Sequence, residues 1–532
     1  MISNELNLEQ LNSLSPEERA LALEILKEYS QEGFSSILED LKYSDYEEIP
    51  VSIDEFIWED RYLGRGLCMV DQYTGEKRST VFPYWIETLK KIFPDNLTTK
   101  YNTLILSGAI GLGKAQPLNA QVLTADGYRA MGSLKVGEKV FGPDGELHKI
   151  LGVYPQGKKR VCKVSFSDGT STECCDEHLW TVFDVERQKT LTLETKELIP
   201  NIKRKLKHNS NKYKIPITSP INFKGQAVLI DPYTLGVLIG DGSLTTNSLS
   251  FASADEEIVN EVRQGISKSF EVRVLKNKFT YSICKIKNNT IYNPIRKTQI
   301  PTPNEYVSYI KELGLNTKAE NKHIPTQYLY NTVESRIALL QGLMDTDGHI
   351  SKDGALIEFT TVSEQLRDDF VTLVQSLGGT CHIRTKIPSY ISKKTGDRIY
   401  GKRSYNIGIK LPKSICPFRL TRKKDRLNAK ALDPFRYITN IEYIEDKECQ
   451  CIYIDSKEHL YLTNDFIVTH NTLVAVVAQL YLLYRMMCLK DPYQFYGLQS
   501  IDKITFSMLN VTIEAAQGVG WSKAQELIQS SD

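Results

Sequence analysis

The chain has 532 residues, 41% of them apolar and 25% charged, with 66 basic against 65 acidic side chains. At that length several domains are expected, and the composition excludes wholesale disorder, collagen-like repeats and a disulfide-dense mini-scaffold. A formal charge of +1 gives no chain-wide pull on nucleic acid, so any such pull must be local. Ten scattered cysteines without an apolar leader suggest reduced thiols in a cytosol. The longest apolar stretch, residues 473–489, is broken by Gln479 and Arg485 and is too short to span a bilayer, so no membrane partner is expected.

In chain order, the first forty residues read as helix. Ser15 is a cap, Pro16 suits the first helical position and Glu18 completes a capping box. A buried-type strand over residues 101–107 then leads into Gly108-Ala-Ile-Gly111-Leu-Gly113-Lys114. These are seven of the eight residues of G-x-x-x-x-G-K-[ST], a loop whose backbone N–H groups cradle phosphates at a helix start. The eighth should be Ser or Thr, but the chain runs into Ala115-Gln116-Pro117, and proline argues against a helix there. The missing hydroxyl appears as Thr472, followed by an amphipathic helical pattern as far as Tyr484. Residues 115–471 therefore read as an insertion. With Lys114 joined to Thr472, the residues Gly108, Gly111, Gly113, Lys114 and Thr472 would bind ATP with Mg²⁺.

The insert ends in Cys449-Gln-Cys451 and then Val468-Thr469-His470-Asn471, immediately before Thr472. Near its start runs Thr172-Glu-Cys-Cys175-Asp-Glu-His178-Leu-Trp180. These segments resemble the terminal blocks of inteins, with Cys175 standing where a threonine is usual. The resemblance implies an all-β Hedgehog/intein (HINT) splicing fold built from 115–225 and 429–471. Ala115 carries no nucleophile, so another residue must open the reaction. Inteins of class 3 use a cysteine in the penultimate block with a tryptophan and a threonine, and Cys451, Trp180 and Thr469 match those positions. By that resemblance Cys451 attacks the Lys114 carbonyl, His178 assists the departing Ala115 nitrogen and Thr472 accepts the acyl group. Asn471 then cyclises beside His470, with no cofactor. His459 is assigned a structural hydrogen bond. Cysteines 174, 175, 449 and 451 lack zinc-ligand spacing.

The middle of the insert, 226–428, carries Leu235-Gly-Val-Leu-Ile-Gly-Asp241-Gly242 and Leu340-Gln-Gly342-Leu-Met-Asp345-Thr-Asp347-Gly348. Each is followed by an echo, at 251–258 and 359–366, so the segment is an internal repeat. The repeated motif resembles the LAGLIDADG helix of homing endonucleases, and Lys322-His-Ile-Pro325 matches a lysine block of that family. The implied fold is an α/β LAGLIDADG endonuclease in which glycines let two helices approach closely. Asp241 and Asp347 would then converge to bind Mg²⁺ for cleavage of double-stranded DNA, with Lys322 beside them. Residues 391–430 hold 13 Lys or Arg against two Asp, an electrostatic footprint for DNA.

The flanks, 1–114 and 472–532, resemble the start of a phage terminase large subunit through Phe56-Ile-Trp-Glu-Asp60-Arg-Tyr62-Leu-Gly64 and Lys490-Asp-Pro-Tyr493. That implies fragments of an α/β P-loop ATPase that packages DNA, cut short here, in a bacterial or phage-infected cytosol. The sequence thus describes a multidomain chain: an interrupted ATPase, a self-splicing insert and a nuclease within the insert. The competing readings are an ATPase with an inert DNA-binding insertion, and cleavage without ligation.

Overall fold

The computed structural model describes residues 43, 45–70, 75–79, 83–97, 115–203, 210–246, 248–286, 290–293, 298–301, 304–391, 397–428, 434–456, 460–470, 475–496, 498, 525, 528 and 529. The expected helix over the first forty residues, the phosphate loop through Lys114, His459, Asn471 and Thr472 lie outside them.

Residues 116–215 and 436–470 interleave in one 12-stranded sheet. Its spine is a pair of long antiparallel strands, Leu147–Phe166 and Arg436–Ile454, joined from opposite ends of the insert. Register shifts interrupt this pair after Ile438, Tyr443, Cys449 and Tyr453. Such bulges bend a strand and re-aim its side chains. Among the described residues the Gln116–Pro117 strand pairs with the late strand alone, at Gln450 and Cys449, so the early half does not close the sheet by itself.

The middle of the insert is a duplicated unit. Helices Pro232–Asp241 and Val333–Thr346 pack face to face, each started by a side-chain cap: Asp231 accepts from the Thr234 N–H, and Thr332 from the Ser335 N–H. Close approach rests on glycine. A Cβ on Gly342 would fall on the Tyr233 carbonyl oxygen, and one on Gly236 would sit 2.5 Å from that of Leu339. Each helix is followed by a four-stranded antiparallel sheet with the same strand order, first-second-fourth-third. The core of this unit is one hydrophobic cluster drawing on residues from Val228 to Leu427. The buried Arg336 ties the unit to the chain entering it. Its guanidinium donates to the carbonyls of Ile221, Asn331 and Ser376 and stacks on Phe223.

From the flanks, helices Ile53–Trp58, Pro83–Ile92 and Ala475–Met487 share a separate cluster. The last is the helix that the sequence pattern placed after Thr472.

Candidate active sites

The first site lies where the segment starting at Ala115 meets the strands that end at His470. Ala115 is 1% exposed and packs with Val161, Cys175 and Cys449. Its carbonyl accepts from the Cys175 N–H at 2.9 Å. Gln116 pairs with Gln450 and Pro117 with Cys449, so the next step of this antiparallel register sets Cys451 across from Ala115. Cys451 is 2% exposed, and its thiol donates to the Ile452 carbonyl at 3.5 Å.

Behind Ala115 runs a buried polar chain. His178 Nε2 contacts the Thr469 hydroxyl, and both residues are buried. The Trp180 ring packs edge-on to His178, centroids 5.5 Å apart. Its indole N–H donates to Thr195 Oγ1 at 3.1 Å, and Thr195 in turn donates to the His178 carbonyl at 3.0 Å. The tryptophan therefore fixes the histidine from behind. Thr469 pairs across strands with Tyr461, whose hydroxyl donates to Gln116 Oε1 at 2.9 Å. Burial holds the Tyr461 hydroxyl well above its usual pKa, and Cys451, Cys174 and Cys175 nearby add to that. Sequence reasoning missed Tyr461 and Gln116, because neither belongs to a motif. Burial pushes the Cys175 thiol up to about 12 and Cys449 up to about 11, so neither ionises readily near neutrality. His470 lies at the end of the Ile467–His470 strand, its backbone paired with Leu460.

The second site lies at the ends of the paired helices. Asp241 ends the first helix and Asp347 caps the second. Both side chains face solvent. The protein around them still crowds out part of their water. That raises both carboxyls, Asp347 up to about 6, where the charge of Asp241 adds to the effect. Two carboxylates that repel each other at the end of a helix pair form a hard-oxygen donor set suited to a divalent cation. Among the described residues no set of three or more His, Cys, Asp or Glu converges, so a metal here would lean on water and phosphate for its remaining ligands.

Lys322 spans the first helix end, donating to the carbonyls of Ile239, Gly240 and Gly242 at 2.6, 2.9 and 3.2 Å. Lys423, absent from the sequence-derived set, does the same at the second. It donates to Met344, Asp345 and Gly348 at 2.7, 2.8 and 2.7 Å. Burial lowers both lysines, Lys423 to about 8. Counting by the Asp241/Asp347 offset, Gly242 corresponds to Gly348, so the two lysines are counterparts.

Lys423 also corrects the reading of 391–430 as one DNA-facing basic run. Arg419 pairs with Glu261, Arg422 with Asp255 and Lys402 with Glu320, while Lys423 is buried. Three of these cations thus serve contacts between the two repeats or their helix ends. Arg398 and Arg403 remain exposed, Arg398 on a two-stranded ribbon formed by Ser389–Ile391 and Arg398–Tyr400.

Residues 334–407 match the family model of a LAGLIDADG-like domain. The replicative DNA helicase DnaB of Mycobacterium intracellulare is 25% identical over 403 residues, covering 70% of this chain and 61% of the helicase. The chain thus spans less than two thirds of that relative's length. The two flanks make up only about a third of the chain, so the alignment necessarily enters 115–471. Among solved structures, the MchDnaB-1 intein aligns at 28% identity over 13% of this chain and 53% of that one, TM-score 0.13. The homing endonuclease I-DmoI aligns at 12% identity over 34% and 88%, TM-score 0.21. The curated relative is a helicase and not a terminase, so the terminase reading of the flanks finds no support. No described helix is long and apolar enough to cross a membrane.

Proposed function

We propose that residues 115–471 excise themselves and join Lys114 to Thr472, as a class 3 intein does. The observation that supports this most is the Gln450–Gln116 pairing, which leaves Cys451 facing the residue whose peptide bond must break. In the first step the Cys451 sulfur bonds to the Lys114 carbonyl carbon and the Lys114–Ala115 C–N bond breaks. The thiol proton ends on the Ala115 nitrogen, delivered through His178, since an amine leaves poorly unless protonated. Thr469 and Trp180 are positioning residues, holding the imidazole from two sides. The acyl group then passes from sulfur to the Thr472 hydroxyl. The Asn471 side-chain nitrogen attacks its own carbonyl carbon, assisted by His470, and releases Thr472. An O-to-N shift leaves the new peptide bond. The burial of this centre excludes the water that would otherwise hydrolyse the thioester.

The LAGLIDADG-like unit is read as a nuclease for double-stranded DNA. Asp241 and Asp347 would hold Mg²⁺, which when bound supplies charge stabilisation for phosphodiester hydrolysis. Lys322 and Lys423 fix the helix ends that carry the aspartates. After ligation, Gly108, Gly111, Gly113, Lys114 and Thr472 would complete an ATP–Mg²⁺ loop in the host, an ATPase acting in the cytoplasm.

Gel analysis of freshly expressed chain tests the splicing reading. Splicing yields an excised species with about two-thirds of the chain's mass and a ligated host with the rest. A single persistent band would favour an inert insertion, and two unjoined host fragments would indicate cleavage without ligation.

A further inference from the structure

The strand pair that carries Cys451 has two faces, covered by different parts of the chain. Ile452, Ile454, Ile150 and Val153 belong to the cluster formed with Val122 and Met131, inside the splicing fold. Cys451 and Tyr453 alternate to the opposite face, with Tyr154 and Gly152 as their cross-strand partners. On that face Tyr453 is fully buried, in one cluster with Phe56, Phe93 and Tyr481 of the flanks, and Leu151 and Tyr154 pack against the same cluster.

Both flanks contribute to this cover. Phe56 stacks on Tyr484 with centroids 4.9 Å apart, and the Tyr481 hydroxyl donates to the Val51 carbonyl at 2.8 Å. The Val51 N–H donates to the Tyr484 hydroxyl at 3.1 Å. Segments from either side of a long insertion are thus already clasped into one small core. That core leans on the residue opposite Cys451. The Tyr154 ring lies over Gly152, and its hydroxyl is buried without a hydrogen-bond partner among the described residues. Packing against the flank cluster thus holds Tyr154 in place.

We propose that the clasped flanks are an intramolecular partner of the splicing centre. Docked on Leu151, Tyr154 and Tyr453, they hold the Cys451 strand pair in register with Ala115 and set the rate of the first acyl transfer. Splicing would then report that the host halves have come together. This inference rests on the splicing reading above.

The test uses the full chain with Phe56→Ala on the flank side and Leu151→Ala on the insert side, neither of them in the reaction centre. Cleavage at Lys114–Ala115 should slow by about 10- to 100-fold, because small misplacements of a nucleophile are amplified in rate. Release before Thr472 follows the first step in order and so should slow with it, while the insert keeps its folded circular-dichroism spectrum. Phe56→Leu should recover most of the first step. A wild-type rate of cleavage at Lys114–Ala115 would overturn the proposal, as would slowing confined to variants whose insert has lost its folded circular-dichroism spectrum, which signals only general loss of fold. Failure of the splicing reading itself would look different: the unaltered chain would cleave at neither junction.

Discussion

At the proposed splicing centre Ala115, Cys451, His178, Trp180 and Thr469 are all buried, whereas the two aspartates at the helix ends face solvent. The first centre has only to reach its own backbone, so it can be sealed against water. On the proposed reading the second would have to admit a duplex, which suits carboxylates at an open edge. The two also differ in symmetry. Lys322 and Lys423 repeat one arrangement at two helix ends, as suits a substrate with two strands. The polar contacts of the splicing centre, Tyr461 with Gln116 and His178 with Thr469, instead each join an early strand to a late one. One chain therefore holds a sealed centre beside an open, duplicated one.

That contrast predicts a clean separation by mutation. Asp241→Asn or Asp347→Asn should abolish DNA cleavage and leave splicing at its wild-type rate, while Cys451→Ala should do the reverse. Gel assays of both activities on the three variants decide it. Loss of splicing in an aspartate variant that is still folded would mean that the two centres are not independent.

Symmetry gives the next expectation. Lys322→Met and Lys423→Met should each reduce DNA cleavage by about 10- to 100-fold, as removal of groups that orient metal ligands does. The two values should agree within a few-fold. A large loss for Lys322 alone would break the equivalence drawn from their carbonyl contacts.

A smaller effect should follow at the helix crossing. In Gly342→Ala the new Cβ meets the Tyr233 backbone carbonyl, which can move only with its helix. Overpacking of this kind costs about 1–3 kcal/mol. The nuclease unit should melt earlier in calorimetry, while splicing continues at lower temperature.

The smallest concerns pH. His148 sits between Asp144, 2.9 Å from Nε2, and Asp455, 3.4 Å from Nδ1. Burial works against its charge, yet the two carboxylates hold it up to about 9. Its folded pKa lies above its ordinary value, so the pair's contribution is complete below about pH 6.5 and is lost as pH rises through 9. Both carboxylates are partly exposed, so the effect is modest: a fall in the splicing domain's Tm of about 1–3 °C between pH 7 and 9.5. His148→Gln should flatten that slope.

Much of this was legible in the sequence because it is written in contiguous strings. The glycine-bearing helix motifs ending in Asp241 and Asp347 announce both the crossing and the carboxylates. What stayed hidden is assembled from distant segments. The residues around Lys423 do not copy Lys322-His-Ile-Pro325, so only geometry finds the second lysine. Tyr461 and Gln116 meet through strands 345 residues apart. The basic run was over-read for the converse reason: charge is visible in sequence, but the Glu261 and Asp255 partners of Arg419 and Arg422 are more than 150 residues away.

The central claim is that a buried thiol, and not the junction hydroxyl, opens the reaction. In a Thr472→Ala chain the acyl group has nowhere to go, so the thioester on Cys451 should persist. Dithiothreitol should then release residues 1–114 as a fragment detectable by mass spectrometry, and the Cys451→Ala/Thr472→Ala chain should release none. Release of that fragment from the double variant would contradict the account, because cleavage at Lys114–Ala115 would then proceed without Cys451.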